Sequence, residues 1–292
     1  MKVVFYASDK PREIMLARAF ELGVTGCGDE FELRRTADYG EDRKYEGPSP
    51  ETDVAVCFGV KGKSAEIIKE HTALGKHAVY LDKGYTRQKG EGGHTLYTRL
   101  SIDSSSPVRY FQRERHRSDR FEKLEMKILD RKKQTADGHI LFCGSSQKYH
   151  DFNALGDATE YAEKALFKLR KVSHRQIVYR PKPSWTDARP IANYMFSNGS
   201  QDILDALRGC HALVTHGSSV GITAVLMGIP IVVLGATIMS PVAESDLTKV
   251  DSPYWPTTEQ RYQWACDFAY CQWTQDEMRC GEAWEYVRQV VS

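Results

Sequence analysis

Residues 212–234 run Ala-Leu-Val-Thr-His216-Gly217-Ser218-Ser219-Val-Gly-Ile-Thr-Ala-Val-Leu-Met-Gly228-Ile-Pro230-Ile-Val-Val-Leu, and this stretch decides the fold. It predicts a buried strand that ends at Thr215, a turn of small residues, a helix, and a second strand after Pro230. Short strands that are apolar on both faces and alternate with helices are typical of parallel sheets. The turn after Thr215 is therefore expected at the carboxyl edge of such a sheet, where open α/β folds bind ligands.

The same alternation extends along the chain and divides into two series. We predict an α/β fold with two Rossmann-like domains facing across a cleft, residues 1–135 and 136–256, and a helical C-terminal tail, 257–292, that packs back across both. The predicted strands are Val3–Tyr6, Phe31–Arg35, Val54–Phe58 and His77–Leu81, then His139–Cys143, Gln176–Arg180, Ala212–Thr215 and Ile231–Leu234. The predicted helices are Pro11–Leu22, Lys63–Leu74, Thr159–Lys171, Gln201–Arg208 and Val220–Met227.

The composition limits the class of protein. The 292 residues are 41% hydrophobic and 27% charged, with a net charge of +1. This excludes a disordered chain and one that is basic throughout. The seven cysteines include no Cys-x-x-Cys pair, which argues against a zinc ribbon and favours a reducing cytoplasm. The apolar stretches are too short for a signal peptide or a membrane span, so no membrane association is expected.

Three loops that follow strands of the second series suit an anionic ligand. They offer backbone N–H groups, hydroxyls, an imidazole and cations on a backbone stiffened by proline. Because all three leave carboxyl ends of strands in one sheet, we predict that they converge on a diphosphate. The loops are Gly144-Ser145-Ser146 with Lys148, Arg180-Pro181-Lys182-Pro183, and His216-Gly217-Ser218-Ser219.

Each loop also has a purely structural interpretation. Ser218 can cap the following helix while His216 lies in the core, the glycine–serine turn can be an ordinary turn, and the charged loop can be solvated. The sequence contains no Gly-x-Gly-x-x-Gly, P-loop or His-Glu-x-x-His motif, so NAD-binding, P-loop and zincin interpretations lose their main support.

The pattern strand, Thr-His-Gly-Ser-Ser, helix, Gly-Ile-Pro, strand, preceded by Arg-Pro-Lys-Pro, resembles the donor-binding half of GT-B glycosyltransferases. The tail from Ala269 to Trp284 resembles small bacteriophage glycosyltransferases and related capsule-type enzymes. The resemblance covers residues 139–285 and is thinner before them. It implies a nucleotide-sugar co-substrate, most commonly a UDP-sugar, with no further cofactor. No Asp-x-Asp motif is present, so no metal is expected.

The resemblance also implies roles for individual residues. The serine-rich turns would hold the donor diphosphate, and the cations would neutralise the leaving nucleotide. Glu244 would contact the ribose, or would be a solvated loop acid. The implied donor-binding residues are Gly144, Ser145, Ser146, Lys148, Arg180, Lys182, His216, Gly217, Ser218, Ser219 and Glu244.

An inverting transfer needs a general base near the acceptor hydroxyl, and in this architecture the N-terminal half supplies it. Asp82 is the preferred candidate because it follows an apolar strand and therefore lies at a carboxyl end. Asp9 follows the first strand in the same way and is the second candidate. A retaining transfer would require neither residue, so the stereochemistry stays open.

The segment from Lys83 to Lys133 is basic, with fourteen Lys and Arg against seven Asp and Glu, and aromatic residues are interleaved. This pattern suits a phosphate backbone and unstacked bases, although a solvated charged helix has the same composition. Combined with this segment, the resemblance to bacteriophage glycosyltransferases implies DNA as the acceptor, with sugar transferred to a flipped 5-hydroxymethylpyrimidine of phage DNA in an infected bacterial cytoplasm. The predicted DNA-binding residues are Lys83, Tyr85, Arg87, Arg113, Arg115, Arg117 and Arg120.

Other functions remain compatible with the same fold. The acceptor can be a surface glycan or a lipid-linked sugar. The enzyme can be a nucleotide-sugar epimerase, which needs no macromolecular acceptor. A protein that binds a nucleotide-sugar or nucleic acid without catalysis is the non-enzymatic alternative.

Overall fold

A computed structural model describes the chain except residues 37–50, 61, 87, 91–92, 94, 109, 112–114, 131–136, 198 and 200. The described residues form two compact units, unit 1 (Met1–Glu114 with Phe268–Ser292) and unit 2 (Arg115–Asp267). The domain boundaries predicted after residues 135 and 256 stay a prediction, because the units are defined by compactness alone. In the described part of the chain, no helix combines the length and the apolar character needed to cross a membrane.

The described strands confirm the predicted alternation of strands and helices. Both series of predicted strands are present, with ends that agree to within one or two residues. The strands are β1 (Lys2–Ala7), β2 (Glu30–Arg35), β3 (Val54–Phe58), β4 (His77–Lys83), β5 (Tyr97–Ile102), β6 (His139–Cys143), β7 (Ile177–Arg180), β8 (Met195–Phe196), β9 (Cys210–Thr215), β10 (Ile231–Val233) and β11 (Gln272–Thr274).

The helices lie between these strands and in the tail. They are α1 (Pro11–Gly26), α2 (Lys63–Ala73), α3 (Asp119–Lys123), α4 (Gln147–Phe152), α5 (Ala158–Val172), α6 (Ile203–Leu207), α7 (Val220–Leu226), α8 (Thr258–Ala269), α9 (Gln275–Arg279) and α10 (Glu282–Val291).

Unit 1 contains a six-stranded sheet in the order β11-β5-β4-β3-β1-β2. The pairs among β1, β2, β3 and β4 are parallel, whereas β5 and β11 pair antiparallel at one side. Helix α1 buries Leu16 and Phe20 on this sheet, and the ring of Trp284 from α10 lies edge-on to Phe20 at 6.2 Å. The C-terminal tail thus completes the core of the first unit.

Unit 2 contains a five-stranded sheet in the order β10-β9-β6-β7-β8, and every pair in it is parallel. Strands β6, β9 and β10 are buried on both faces, which explains their continuous apolar sequences. Helix α5 covers one face with Ala162, Leu166 and Leu169. The spacing of these three residues places them on one side of the helix.

The tail predicted to be helical also contributes a strand. Strand β11 is three residues long and pairs with β5 through Gln272 and Trp273. Neither strand was predicted, because β11 is shorter than any periodicity can reveal and the apolar character of β5 is broken by Arg99 and two hydroxyl residues. Residues 258–267 of helix α8 belong to unit 2, where the Nε1 of Trp264 donates to the carbonyl of Ile238 at 2.8 Å.

Gly23 lets helix α1 pack directly on the backbone of the tail. A Cβ at this position would overlap the carbonyl oxygen of Met278 in α9. We expect Gly23→Ala to destabilise the protein by about 1–3 kcal/mol, as overpacking does in a tight core. The measurement is the free energy of unfolding in urea.

Gly26 on the same helix provides the matched control, since nothing lies within 4 Å of a Cβ added there. Gly26→Ala is expected to be neutral or to stabilise by about 0.4–1 kcal/mol, because alanine restricts the unfolded chain. Equal effects of the two substitutions would contradict the close approach of α1 and α9.

Candidate functional site

The carboxyl edge of the unit 2 sheet brings together the loops that the sequence singled out. Strands β6, β7 and β9 are parallel, and Cys143 is in register with both Arg180 and Thr215. The loops that begin at Gly144, Pro181 and His216 therefore leave the sheet at the same level. The three loops thus begin at one edge of the sheet, and their convergence on a diphosphate stays a prediction.

Thr215 fixes the turn at the end of β9. Its side chain is fully buried, and its Oγ1 donates to the carbonyl of Cys143 at 2.8 Å while accepting the backbone N–H of Ser218 at 3.1 Å. Ser219 makes no side-chain cap, and the Oγ of Ser218 lies 3.4 Å from the N of Val220, which is a long hydrogen bond. Capping of α7 therefore occupies these hydroxyls only weakly.

A narrow, open pocket lies beside this turn, and its volume reaches about 220 Å³ only when the open solvent at its mouth is included. Its walls combine apolar side chains from the sheet and α5 with hydroxyl, phenol and imidazole groups. The lining residues are Phe142, Cys143, Gly144, Ser145, His150, Ala158, Tyr161, Ala162 and His216. Such a mixture of apolar walls and a few polar groups is typical of small-molecule sites.

The imidazole of His216 is held on three sides. Its Nδ1 lies 2.6 Å from the hydroxyl of Tyr161 on α5, and the ring of Tyr149 on α4 is edge-on to it at 6.1 Å. On another side the ring packs against Gly235, where a Cβ would lie 2.5 Å from Cε1. The orientation of His216 is therefore determined by packing as well as by hydrogen bonding.

The electrostatics of this pair define which group carries the proton. Burial lowers the pKa of His216, and the neighbouring His150 lowers it further, whereas burial raises the pKa of Tyr161. Both groups are therefore neutral at pH 7, and we predict that the phenol donates to Nδ1 rather than accepting from it. Since a neutral imidazole carries one proton, that proton lies on Nε2. His216 thus offers a neutral N–H donor rather than a positive charge.

The polar side chains of the Gly144 turn and of the loop after β7 differ in their exposure to solvent. Ser145 and Ser146 are half-buried, and Lys148 is exposed. Lys182 is also exposed, but the guanidinium of Arg180 is buried and donates to the Oγ of Ser197 at 2.9 Å and to the carbonyl of Gln201 at 2.6 Å. Arg180 therefore braces the following loop, and its contact with a nucleotide stays a prediction.

Glu244 is nearly buried beside β10. Its Oε1 accepts the backbone N–H groups of Asp246 at 3.0 Å and Ser245 at 2.9 Å, and Lys249 lies 3.7 Å from Oε2. The hydrogen bond from Asp246 is the main cause that lowers the pKa of Glu244. The side chain is an ionised carboxylate with a fixed orientation, and its contact with a ribose remains a prediction.

Asp82 lies at the carboxyl end of β4 in unit 1. Its Oδ2 accepts hydrogen bonds from Tyr80 at 2.5 Å and from Arg99 at 2.9 Å, and its Oδ1 accepts the N–H of Lys83 at 2.7 Å. The side chain is one-third exposed. Asp9, the second candidate base, is largely exposed and pairs with Arg35 at 2.9 Å. Of the two candidate bases, Asp82 is the one whose carboxylate is held by several hydrogen bonds.

The predicted DNA-binding residues lie in both units and differ in exposure. Lys83, Arg115 and Arg117 are exposed. Tyr85 packs on Phe268 at 5.5 Å, and Arg120 on the short helix α3 is 5% exposed. Arg87 and Arg113 lie outside the described residues.

Sequence reasoning missed Tyr149, His150 and Tyr161 as parts of the site. All three surround His216, but they are on α4 and α5, far from it in the chain. The amphipathic pattern of α5 marks its buried face, yet only the packing of α5 on the sheet brings Tyr161 to Nδ1. Among the described residues, no group of His, Cys, Asp and Glu is arranged to hold a metal ion.

Comparisons with known proteins identify the fold. No protein-family model and no curated protein matches the chain. Among solved structures, Thermosulfurimonas dismutans KpsC, a β-Kdo 2,4 transferase, is 13% identical over 100% of this chain and 98% of its own, with a TM-score of 0.54. The β-Kdo 2,7 transferase of the same protein is 12% identical over 98% and 100%, with a TM-score of 0.46.

Methanocaldococcus jannaschii UDP-GlcNAc 2-epimerase, solved with UDP-GlcNAc and UDP, is 11% identical over 80% of this chain and 84% of its own, with a TM-score of 0.29. The fold assignment rests on the 2,4 transferase, which has the highest of these TM-scores. At such low identity the likeness is one of fold. The chain has the GT-B fold, which confirms the predicted class.

The hydrogen bond between Tyr161 and His216 leads to a test of the tautomer. We expect nitrogen-15 NMR at about pH 7.5 to show His216 as the Nε2–H tautomer, and Tyr161→Phe to yield a mixture of tautomers.

Tyr149→Phe is the control because it changes a phenol beside the same imidazole and keeps the Tyr161 contact. A proton on Nδ1 in the wild-type protein would contradict the assignment.

Burial of several histidines leads to a test of pH dependence. Burial is the largest cause that lowers their pKa below the ordinary 6.5, so below that pH the unfolded chain binds protons that the folded chain does not. We expect the free energy of unfolding to fall from about pH 6.5 downwards, by up to about 1.4 kcal/mol per proton and pH unit. These histidines are His71, His139, His150, His211 and His216.

Urea unfolding between about pH 7.5 and 5 measures this slope. His139→Gln is expected to reduce it, whereas His174→Gln, at an exposed position, is the control. Stability that does not change over this range would contradict the expectation.

Proposed function

We propose that this protein is a glycosyltransferase that uses a nucleotide-sugar donor, most commonly a UDP-sugar. The observation that carries the proposal is the turn after β9, where the imidazole of His216 is held by Tyr161 and lines a pocket at the carboxyl edge of the unit 2 sheet. In an open α/β sheet this edge is the usual ligand site. The GT-B fold of the chain is consistent with this use.

Within the proposal, unit 2 binds the donor. The backbone N–H of Ser219 and the hydroxyls of Ser218 and Ser219, with Nε2 of His216, donate hydrogen bonds to the diphosphate. Lys148 and Lys182 are exposed at the same edge and supply positive charge as the nucleotide leaves. Charge that is fixed before the reaction stabilises the leaving group without reorganisation.

Unit 1 supplies the acceptor side of the proposed reaction. In an inverting transfer, Asp82 takes the proton of the acceptor hydroxyl, whose oxygen attacks the anomeric carbon. The bond from that carbon to the diphosphate oxygen breaks, and the nucleoside diphosphate departs with the electron pair. The hydrogen bonds from Tyr80 and Arg99 hold the carboxylate in one orientation for this role.

A 5-hydroxymethylpyrimidine in DNA is the acceptor that the basic segment favours. Of the residues proposed to contact it, Lys83, Arg115 and Arg117 are exposed. Cations on a surface supply the phosphate contacts that dominate DNA affinity. DNA and saccharides should be tested side by side as acceptors.

The decisive experiment combines a panel of nucleotide-sugars with DNA containing 5-hydroxymethylcytosine or 5-hydroxymethyluracil, and in parallel with saccharide acceptors. Mass spectrometry of the digested products detects transfer as the gain of one sugar. We expect transfer by the wild-type protein and a loss of about 100-fold or more in Asp82→Asn, since general-base catalysis contributes this much. UDP binding is expected to be unchanged in that variant.

Asp9→Asn is the matched variant, because it removes the other candidate carboxylate. A loss of transfer in Asp9→Asn with activity retained in Asp82→Asn would move the role of base to Asp9. Interconversion of the free nucleotide-sugar without an acceptor would indicate an epimerase, and nucleotide binding without any turnover would indicate a binding protein.

A further inference from the structure

Arg12 is a charged side chain of unit 1 that none of the preceding roles uses. It is the second residue of α1 and lies at the carboxyl edge of the sheet, where its guanidinium is 5.3 Å from the centre of the Phe58 ring at the end of β3. Its Nη2 donates to the Oγ1 of Thr95 at 2.9 Å. Its Nε is buried and has no hydrogen-bond partner among the residues that the structure describes. No acid of the described chain forms an ion pair with it.

Arg99 lies at the same edge of the sheet, and its guanidinium group is also incompletely hydrogen-bonded. Its Nη2 donates to Tyr80 and Asp82, and its guanidinium lies over the rings of Tyr80 at 4.9 Å and Tyr85 at 5.1 Å. Its Nε, however, is also buried and lacks a hydrogen-bond partner in the described part of the chain. Two buried guanidinium N–H groups at one edge thus lack an acceptor, which is rare in folded proteins.

The cluster of Arg12, Arg99 and Asp82 carries more positive than negative charge. Asp82 is the carboxylate that pairs with Arg99, and it is also the acid whose charge acts on Arg12. One carboxylate therefore serves two guanidinium groups. Burial lowers the pKa of Arg12, which reflects the cost of holding this charge away from water. A half-buried charge with so few partners is expected where a ligand completes them.

We propose that Arg12 and Arg99 form a subsite for an anionic group of the acceptor, so that the acceptor carries a carboxylate or a phosphate. The planar guanidinium matches both groups because it can donate two parallel hydrogen bonds to their oxygens. The aromatic rings of Phe58, Tyr80 and Tyr85 border the same edge. The inference rests on the proposed function, since it names the chemistry of the acceptor beside Asp82.

The test measures the binding of glucuronate, glucose 6-phosphate and neutral glucose to the full chain by ligand-observed NMR. We expect one or both anions to bind more tightly than glucose, and the preferred anion distinguishes a carboxylate from a phosphate subsite. Arg12→Gln is expected to weaken anion binding about 10- to 100-fold, as the loss of a charge-assisted hydrogen bond does. Arg12→Lys keeps the positive charge and loses the planar guanidinium group. Its affinity for the anion is expected to lie between those of the wild type and Arg12→Gln.

Arg18→Gln is the matched control, because Arg18 is on the same helix, is exposed and pairs with Glu21. It changes the net charge equally and is expected to bind like the wild type. Equal binding of glucose and the anions would overturn the subsite, as would wild-type anion affinity in a folded Arg12→Gln variant.

UDP binding and sugar transfer, measured on the same samples, separate the two proposals. Anion binding that depends on Arg12, in a protein that neither binds UDP nor transfers sugar, would leave the subsite in place and overturn the proposed function. Transfer that is unaffected by Arg12→Gln, to neutral acceptors as well as acidic ones, would overturn the subsite alone.

Discussion

The parallel pairing of β6 with its neighbours β7 and β9 is the interaction on which the candidate site depends. Backbone hydrogen bonds align Arg180, Cys143 and Thr215 in one row across the sheet. The hydroxyl of Thr215 reinforces this row by donating to the carbonyl of Cys143. Because side chains alternate along a strand, a register shift of one residue would turn this hydroxyl to the opposite face and displace the turn that carries His216.

The two units present different chemistry at their carboxyl edges. In unit 2 burial keeps the His216–Tyr161 pair neutral, so the pocket offers directional donors, and its positive charge comes from lysines at the surface. In unit 1 the edge is ionic, with Asp82 between two arginines. A neutral donor tolerates burial because it has no charge to desolvate, whereas buried ions require partners. Such a division suits a reaction with two substrates.

Local patterns predicted much of the fold, and non-local contacts account for what was missed. Strands β3 and β6 have the predicted ends, because a continuous apolar run identifies a buried parallel strand. Strand β5 escaped prediction because its polar residues are satisfied by partners that are distant in the chain, as when Arg99 pairs with Asp82. The strand β11 in the tail has too few residues for any pattern to be visible.

The sequence by itself determined the class of fold, the order of strands and the three loops at one edge, since apolar periodicity and turn chemistry are local properties. Only the tertiary structure decided what each side chain does there. Arg180 and Lys182 are two residues apart, yet one is buried against Ser197 and the other is exposed. Tyr161 reaches His216 from another helix. Burial and hydrogen bonding depend on neighbours brought together by folding, and these neighbours set both charge state and accessibility.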